Sequence, residues 1–300
     1  MLEVVDTIDA LRERVGERRR SGHTVSLVPT MGALHAGHAS LIERARRESG
    51  AVVVSIFVNP FQFDRVEDLE RYPRSLDTDV DVCRGLRVDL VFAPSVSVMY
   101  PAPQMMSVDV GRLADHLCGR HRPGHFQGVA TVVLKLFGIV QPDVAYFGEK
   151  DAQQLAVVRR LVTDFNVPVR IVGVPTVREP DGVALSSRNL RLSAAERQLA
   201  PCLYSALRHA AASVDAGATN AAEVARDAAT LIPADDRLRL EYLELVDPDD
   251  FQPATIIAAP VIAAGALWVG TTRLIDNVRC IPRIRSREAS MIDEPTGAAR

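Results

Sequence analysis

The sequence predicts an α/β protein with a doubly wound parallel sheet followed by a smaller α+β domain. Through the first 180 residues, short apolar runs alternate with stretches of helical spacing. Such alternation is typical of parallel sheets that carry helices on both faces. After about residue 177, alanine-rich helices give way to strands of alternating polarity. We therefore expect a Rossmann-like domain over residues 1–176, a smaller domain over 177–284 and a disordered polar tail over 285–300.

Each element follows from its own pattern. Short runs rich in apolar and β-branched residues predict buried strands over residues 24–28, 52–58, 90–93, 144–147 and 169–174. Helical spacing predicts helices that start near His38 and cover 68–84, 128–140, 152–165, 193–216 and 220–231. Further strands are expected over 238–246, 256–264, 266–269 and 275–281. Because ligands of doubly wound sheets bind beyond the carboxyl ends of the strands, we expect four strand-end loops to converge on one crevice. These loops are residues 29–31, 59–62, 148–151 and 175–177.

Composition excludes several classes of function. The formal net charge of -3 provides no basic field of the kind that non-specific nucleic-acid binding requires. No apolar run approaches the roughly 18 residues of a membrane helix, and the N-terminus lacks the basic and apolar regions of a signal peptide. The 4 cysteines form no C-x-x-C pair, which argues against a zinc ribbon and fits reduced thiols. We expect a cytoplasmic protein with neither nucleic-acid nor membrane partners.

A candidate anion site lies in residues 29–38, which follow the first of these strands and open an amphipathic helix. A strand, a glycine-containing turn and a helix N-terminus follow in order, and free backbone N–H groups at such a place favour phosphate. His35 and His38 are three residues apart, so both imidazoles can reach one anion. The alternative is a helix cap with one surface and one half-buried histidine. The residues alone leave both interpretations open.

Lysine is rare in this chain, because only Lys135 and Lys150 are lysines among its 35 basic residues. Lys150 lies between a strand and a helix, where its ammonium could reach over phosphates. The alternative is that Lys150 and its acidic neighbours cap a helix with solvated charges. Lys135 lies in an apolar helix, from which it is expected only to extend its ammonium to water.

Eight segments in order resemble the pantothenate synthetase family, over roughly residues 1 to 282. They are residues 28–38 (VPTMGALHAGH), 55–63 (SIFVNPFQF), 72–74 (YPR), 125–129 (HFQGV), 147–151 (FGEKD), 153–154 (QQ), 174–179 (VPTVRE) and 186–189 (SSRN). The resemblance implies ATP-dependent ligation of pantoate to β-alanine in two steps. The pantoate carboxylate attacks the α-phosphate of ATP to give pantoyl-adenylate and pyrophosphate, and the amine of β-alanine then displaces AMP.

The same resemblance implies roles for particular residues. The catalytic residues would be His35, His38, Lys150 and Arg188, with His38 matching a proton donor. The ATP-binding residues would be Met31, Gly32, Ala33, Leu34, His35, Ala36, Gly37, His38, Gly148, Glu149, Lys150, Asp151, Val177, Leu185, Ser186, Ser187 and Arg188. Gln62 and Gln154 match positions that hold pantoate, whereas Asn59 is expected to support its own loop.

The resemblance also bears on closure, metal and assembly. Residues 186–188 resemble a second phosphate loop, although serines before a helix are ordinarily capping residues. Because this loop joins the two expected domains, we expect the smaller one to close over ATP. Magnesium is implied with ATP, with ligands chiefly from phosphate oxygens and water, so no protein metal site is expected. Asp77, Asp79 and Asp81 do not share one helix face and are expected to be solvated. A homodimer is also implied.

Three positions depart from the family pattern, and two other classes of function stay open. Leu185 stands where methionine is common, Ala152 where an aromatic is common, and Ala36, expected to face solvent, where an acidic residue is common. A nucleotidylyltransferase would release pyrophosphate without pantoate. A nucleotide sensor would bind ATP without turnover.

Overall fold

The computed structural model describes residues 2–283 and contains two sheets. The strands of the parallel sheet are β1 (Glu3–Val5), β2 (Val25–Thr30), β3 (Ala51–Ile56), β4 (Leu90–Phe92), β5 (Val144–Gly148) and β6 (Arg170–Val174). They lie in the order β1-β4-β3-β2-β5-β6. The antiparallel sheet consists of β7 (Leu238–Val246), β8 (Val261–Val269) and β9 (Thr272–Cys280). The predicted fold class is therefore confirmed, while the tail predicted over 285–300 lies outside the described residues.

The helices of the described chain follow the predicted alternation with the strands. They are α1 (Ile8–Arg20), α2 (Ala36–Glu48), α3 (Val66–Glu70), α4 (Leu76–Gly85), α5 (Val96–Met99), α6 (Leu117–His121), α7 (His125–Val140), α8 (Ala152–Asp164), α9 (Ala194–Leu199), α10 (Pro201–Asp215) and α11 (Ala221–Ala229). Among residues 2–283, none of the helices combines the length and the apolar character that crossing a membrane requires.

The parallel sheet is covered on both faces, as a doubly wound fold requires. Apolar side chains of α1, α7 and α8 pack on one face, and those of α2 and α4 pack on the other. The first of these cores continues to Tyr242, Phe251 and Ala264, so it also holds one side of the antiparallel sheet. The other side of that sheet packs against α10 and α11. The domain boundary at residue 177 stays a prediction.

A crevice opens between β2 and β5, where the strand order reverses direction. β2 pairs with β3 as far as Thr30, opposite Ile56, but it pairs with β5 only at Ser26 and Leu27. The carboxyl ends of β2 and β5 are therefore unpaired with one another, which leaves room for a ligand at the topological switch point. Pro29, which the sequence predicts to end β2, lies inside the strand and beyond its last partner in β5.

Proline and glycine account for the main differences from the predicted elements. The helix predicted over 68–84 is divided into α3 and α4, with Pro73 in the connection, because proline lacks an N–H and clashes with a preceding helical turn. Pro201 begins α10 and separates it from α9, where one helix is predicted over 193–216. The strands predicted over 256–264 and 266–269 form the single strand β8, because Gly265 continues it and pairs with Asp276 of β9. β1, α1, α5 and α6 are additional to the predicted elements.

Candidate active site

Two adjoining cavities occupy the crevice. The inner cavity, of about 230 Å³, lies at the ends of β2 and β5, and the outer cavity, of about 550 Å³, extends to the antiparallel sheet. Seven residues line both cavities: Arg122, His125, Lys150, Asp151, Gln154, Ser186 and Arg188. Each of the four strand-end loops contributes to the inner cavity, so the predicted convergence of these loops is confirmed.

Most predicted binding residues line the inner cavity. They are Met31, His35, Gly37, His38, Gln62, Gly148, Lys150, Asp151, Gln154, Val177, Leu185, Ser186, Ser187 and Arg188. The predicted residues outside this lining are Gly32, Ala33, Leu34, Ala36 and Glu149. The side chain of Ala36 is exposed, as expected.

A buried carboxylate holds the loop that follows β2. The N–H groups of Ala33 and Leu34 donate to the two oxygens of Asp79 at 2.9 and 2.7 Å, and Asp79 is only 2% exposed. Gly32 has a φ of +80°, and a Cβ there would lie 2.7 Å from Asp79 Oδ2, so only glycine fits. The N–H groups of Ala33 and Leu34 therefore bind Asp79 and are not free for a phosphate.

The expectation of a solvated Asp79 is wrong, although Asp77 and Asp81 are exposed. Asp79 shares a face of α4 with Cys83, four residues later, and Cys83 is fully buried. An acidic residue on the core face of an amphipathic helix is the signal in the sequence that identifies it.

Removal of this carboxylate is expected to weaken the fold at the site. We expect Asp79→Ala to lower the free energy of unfolding by roughly 2–4 kcal/mol, because two buried N–H groups lose a charged acceptor. Urea unfolding at pH 7 measures the change. Asp77→Ala, exposed on the same helix, is the matched control and should change the free energy by less than about 0.5 kcal/mol. Equal effects of the two substitutions would contradict the assignment.

The two histidines cap α2 through their Nδ1 atoms. His35 is the N-cap, and its Nδ1 accepts the N–H of Gly37 at 3.1 Å, while His38 Nδ1 accepts the N–H of His35 at 3.3 Å. α2 consequently begins at Ala36, two residues before the expected start. Because Nδ1 accepts in both rings, the proton of each neutral imidazole lies on Nε2. Capping and anion binding are thus compatible, since Nδ1 serves the cap and Nε2–H stays available.

Two of the backbone N–H groups at this helix start are not free for phosphate, contrary to the expectation. Those of His35 and Gly37 are bound to imidazole nitrogens, and at these two positions a ligand would meet the Nε2–H groups. Burial lowers the pKa of His38 to about 3, and His35 beside it contributes. Burial and the nearby Lys150 ammonium lower the pKa of His35 as well. Both imidazoles are therefore neutral at pH 7, and they offer hydrogen bonds rather than charge.

The two lysines have different environments. Lys150 lies in a 3-10 turn, Glu149–Asp151, between β5 and α8, as expected, and its Nζ lies 3.7 Å from Asp151 Oδ1. Its side chain lines both cavities. Lys135 instead places its Nζ 5.1 Å from the ring centroid of Tyr100, which is a cation–π contact outside the crevice.

Arg188 reaches the crevice from the 3-10 turn Ser187–Arg191. It donates to Asp68 Oδ2 at 2.8 Å, and Arg191 donates to Oδ1 of the same carboxylate at 2.8 Å. Burial raises the pKa of Asp68, but the two arginines lower it by more, so the carboxylate is ionised. Ser186 Oγ accepts the N–H of Arg188 at 3.2 Å, which is the capping role that serines in this position ordinarily play.

A buried network fixes Gln62. Asn59 is 1% exposed, and its Nδ2 donates to Gly128 O and to Gln62 Oε1, both at 3.2 Å. Its Oδ1 accepts the hydroxyl of Tyr100 at 3.0 Å. Gln62 Nε2 lies 2.8 Å from Met31 Sδ, so the loops after β2 and β3 touch. The expectation that Asn59 supports its loop is confirmed.

His125 and Arg122 extend this network, and neither has a role among the predictions from the sequence. His125 Nδ1 donates to Gln62 O at 2.7 Å, and its Nε2 accepts from Arg122 at 3.2 Å. Burial, with the Arg122 guanidinium, lowers the pKa of His125 to about 4. His125 belongs to a segment that carries the family resemblance, which is the one signal that could have identified it.

The low pKa values of His38 and His125 predict acid lability. Both histidines bind protons in the unfolded chain below about pH 6.5, whereas the folded chain binds them only near pH 3 and 4. The free energy of unfolding should therefore fall as the pH drops below 6.5, by at most about 1.4 kcal/mol per pH unit and histidine. Urea unfolding between pH 7 and 4.5 measures this slope. His125→Gln should reduce it, whereas His209→Gln, exposed on α10, should not.

Comparisons with known proteins show the family to which this chain belongs. A family model described as pantoate-beta-alanine ligase matches residues 3–279. A bifunctional pantoate ligase/cytidylate kinase of Synechococcus elongatus is 53% identical over 280 residues, which are 92% of this chain and 53% of that relative. The chain thus spans about half the length of the curated relatives of this kind.

Solved structures of related proteins have the same fold. The crystal structure of pantothenate synthetase from Thermus thermophilus matches with a TM-score of 0.88 and 47% identity, over 93% of this chain and 100% of that one. A pantoate-beta-alanine ligase from Francisella tularensis, complexed with beta-gamma ATP and beta-alanine, matches with a TM-score of 0.76 and 34% identity. This match covers 93% of this chain and 97% of the Francisella tularensis chain. The chain belongs to the pantoate-beta-alanine ligase family.

Proposed function

We propose that this protein joins pantoate to β-alanine at the expense of ATP, through pantoyl-adenylate, and releases pyrophosphate and then AMP. The observation that carries the proposal is the composition of the inner cavity. It combines two neutral imidazoles, a lysine and an arginine, which suit a triphosphate, with the amides of Gln62 and Gln154, which suit pantoate. The relative from Francisella tularensis, complexed with beta-gamma ATP and beta-alanine, supports these substrates.

In the first step, an oxygen of the pantoate carboxylate attacks the α-phosphorus, and the bond from that phosphorus to the bridging oxygen of pyrophosphate breaks. Negative charge grows on the α-phosphoryl oxygens and on the leaving group, so catalysis depends on positioning and charge stabilisation. His35 and His38 would donate from Nε2, and Lys150 would supply positive charge. Arg188 donates to Asp68 through one terminal nitrogen, so its other N–H groups would serve the phosphates.

In the second step, the amine of β-alanine attacks the carbonyl carbon of the adenylate, and the bond from that carbon to the phosphate oxygen breaks. AMP leaves with the electron pair of that bond, and the amine releases its proton to solvent. Water would compete for the same carbon, so the site must exclude it. Residues 177–188 lead from β6 towards the helices that precede the antiparallel sheet, and they line both cavities, which favours the proposal that the smaller domain closes there. The outer cavity offers β-alanine a route to the adenylate.

Magnesium would enter this site with ATP. Residues 2–283 hold no group of three histidine, cysteine or acidic side chains suited to a metal ion, so phosphate oxygens and water would supply its ligands. The bound ion would neutralise phosphate charge. Asp151 and Asp68 are carboxylates that contact the proposed phosphate-binding side chains of Lys150 and Arg188.

We also propose a homodimer, and cytoplasmic location stays a prediction. Met105 and Met106 are 96% and 86% exposed in an irregular segment, and a second copy would remove this apolar surface from water. Multi-angle light scattering of the full chain would give a mass near twice that of the monomer. A monomeric mass at all concentrations tested would contradict the dimer.

The substrate requirement of each product tests the proposed reaction. Pyrophosphate and AMP are followed separately with ATP and magnesium, with pantoate and β-alanine each present or omitted. Pyrophosphate formation should require pantoate, AMP release should require both substrates, and Lys150→Ala should suppress both. Turnover without pantoate would instead indicate a nucleotidylyltransferase. ATP binding without turnover would indicate a sensor.

A further inference from the structure

The side chain of Asn277 connects the antiparallel sheet to the turn that carries Lys150. Its Nδ2 donates to the carbonyl oxygens of both Glu149 and Lys150 at 2.9 Å. The two ends of this contact are 127 residues apart in the chain. Asn277 lines the outer cavity, as Lys150 does, but it does not line the inner cavity. It contacts the backbone from which the Lys150 ammonium extends.

A second contact fixes the backbone of Asn277. Asp276, beside it on β9, is 5% exposed and forms a two-point ion pair with Arg178, at 2.6 and 3.0 Å. Arg178 also donates to Asn277 O at 3.3 Å, and the N–H of Asn277 donates to Asp276 Oδ1 at 2.8 Å. These contacts fix the backbone of Asn277. Its side-chain amide is therefore a preorganised donor to the turn.

The two contacts join separate parts of the candidate nucleotide site. Asn277 holds the turn with Lys150, whereas Arg178 follows Val177, which lines the inner cavity beside Leu185. The Arg178 guanidinium also lies 3.9 Å from the ring centroid of Tyr204 on α10. Asp276 and Asn277 of β9 therefore form hydrogen bonds with the segment after β5 and with the segment after β6.

A lysine side chain is flexible, so the location of its ammonium depends on how firmly its backbone is held. The turn Glu149–Asp151 has no side-chain cap at its start. Without Nδ2 of Asn277, the carbonyl groups of Glu149 and Lys150 would lose the side-chain donor that ties them to β9. The turn would then be free to shift by fractions of an ångström, which is enough to impair contacts with a phosphate.

We propose that Asn277 is a positioning residue for Lys150, through which the antiparallel sheet places the ammonium against bound nucleotide phosphates. The inference rests on the proposed function only in assigning Lys150 to the phosphates. It goes beyond that function because the family resemblance assigns Asn277 no role. It also explains how docking of the smaller sheet acts on the phosphate site through the backbone of the turn that carries Lys150.

A double-mutant cycle on ATP binding tests the proposal. The full chain is titrated calorimetrically with ATP and magnesium, without pantoate, as wild type, Asn277→Ala, Lys150→Ala and the double variant. Asn277→Ala should raise the Kd for ATP about tenfold, and in the Lys150→Ala background it should change Kd less than about twofold, because a displaced turn no longer matters without the ammonium. Equal effects in both backgrounds would overturn the proposal, as would an unchanged Kd for Asn277→Ala.

Two further variants separate hydrogen bonding from packing and folding. Asn277→Leu keeps the side-chain volume without the donors and should match Asn277→Ala. Arg279→Ala, exposed two residues later on β9, should bind ATP as the wild type does. Binding by Asn277→Leu at the wild-type Kd would overturn the proposal. The ligase assay on the wild type tests the proposed function separately. If the wild type binds ATP but forms no pyrophosphate with pantoate, the proposed function is rejected and the mutant cycle can still be interpreted. If the wild type does not bind ATP, both proposals are rejected.

Discussion

His38→Ala is expected to lower kcat for pantoate-dependent pyrophosphate formation by about 100- to 1000-fold, the range found when one preorganised donor to a transition-state anion is removed. The substitution removes the Nε2–H donor from the inner cavity. It also removes the Nδ1 acceptor that binds the N–H of His35, so the start of α2 loses part of its cap. The apparent KM for ATP should change less than kcat, because charge on the α-phosphoryl oxygens grows most in the transition state.

Two amide variants separate the two nitrogen atoms of His38. His38→Asn places an acceptor near the position of Nδ1 and should restore the cap, with a free energy of unfolding close to wild type, while kcat stays low. His38→Gln places an amide N–H near the position of Nε2 and should recover part of kcat. Stopped-flow measurement of pyrophosphate release, together with urea unfolding, reads both effects. Wild-type kcat in His38→Asn would contradict the role of Nε2–H.

Gly128→Ala is expected to disrupt both folding and pantoate binding. A Cβ at Gly128 would lie 2.5 Å from the carbonyl carbon of Phe61 and 2.8 Å from Gln62 Cα, which are backbone atoms that cannot rotate away. α7 would therefore have to separate from the 3-10 turn Pro60–Gln62, and the bond from Asn59 Nδ2 to Gly128 O would lengthen. We expect a loss of about 3 kcal/mol in the free energy of unfolding. Displacement of Gln62 should lower kcat/KM for pantoate about 100-fold.

The same helix provides the control for Gly128. Nothing lies within 4 Å of a Cβ at Gly138, so Gly138→Ala should raise the free energy of unfolding by about 0.5–1 kcal/mol through helix propensity. If the close approach at Gly128 decides the effect, urea unfolding should show a lower free energy of unfolding for Gly128→Ala and a higher one for Gly138→Ala. Steady-state kinetics with varied pantoate gives kcat/KM. A loss in both variants would show that glycine in α7 matters for another reason.

The fold was predictable because each element carries its own signal. The apolar runs of β2, β3 and β5 indicate strands that are buried on both faces, and their alternation with amphipathic helices indicates a parallel sheet. Once the sheet is parallel, the carboxyl ends of its strands lie at one edge, so the convergence of residues 29–31, 59–62, 148–151 and 175–177 follows. The differences at Pro73 and Pro201 concern where one helix ends and the next begins, and proline could have indicated both positions.

The candidate site was predictable only in its residue types. The resemblance assigns roles to His38, Lys150 and Gln62, and the crevice brings these three side chains together. Asp79, His125 and Asn277 were not identified, because each acts on a backbone far away in the chain. Asp79 binds N–H groups 45 and 46 residues distant, and His125 binds a carbonyl 63 residues distant. No local pattern records such a partner.

The sequence by itself determined the α/β class, the order of strands and helices and the chemical groups at the strand ends, because periodicity and turn residues act within one element or between neighbours. The tertiary structure decided which of those groups are free to bind. It removed His38 from most of the solvent, which keeps its imidazole neutral by lowering its pKa, and it engaged the N–H groups of Ala33 and Leu34 with Asp79. Burial and long-range hydrogen bonds depend on how whole elements pack against one another, and for this reason the state of each site residue emerges only from the packed fold.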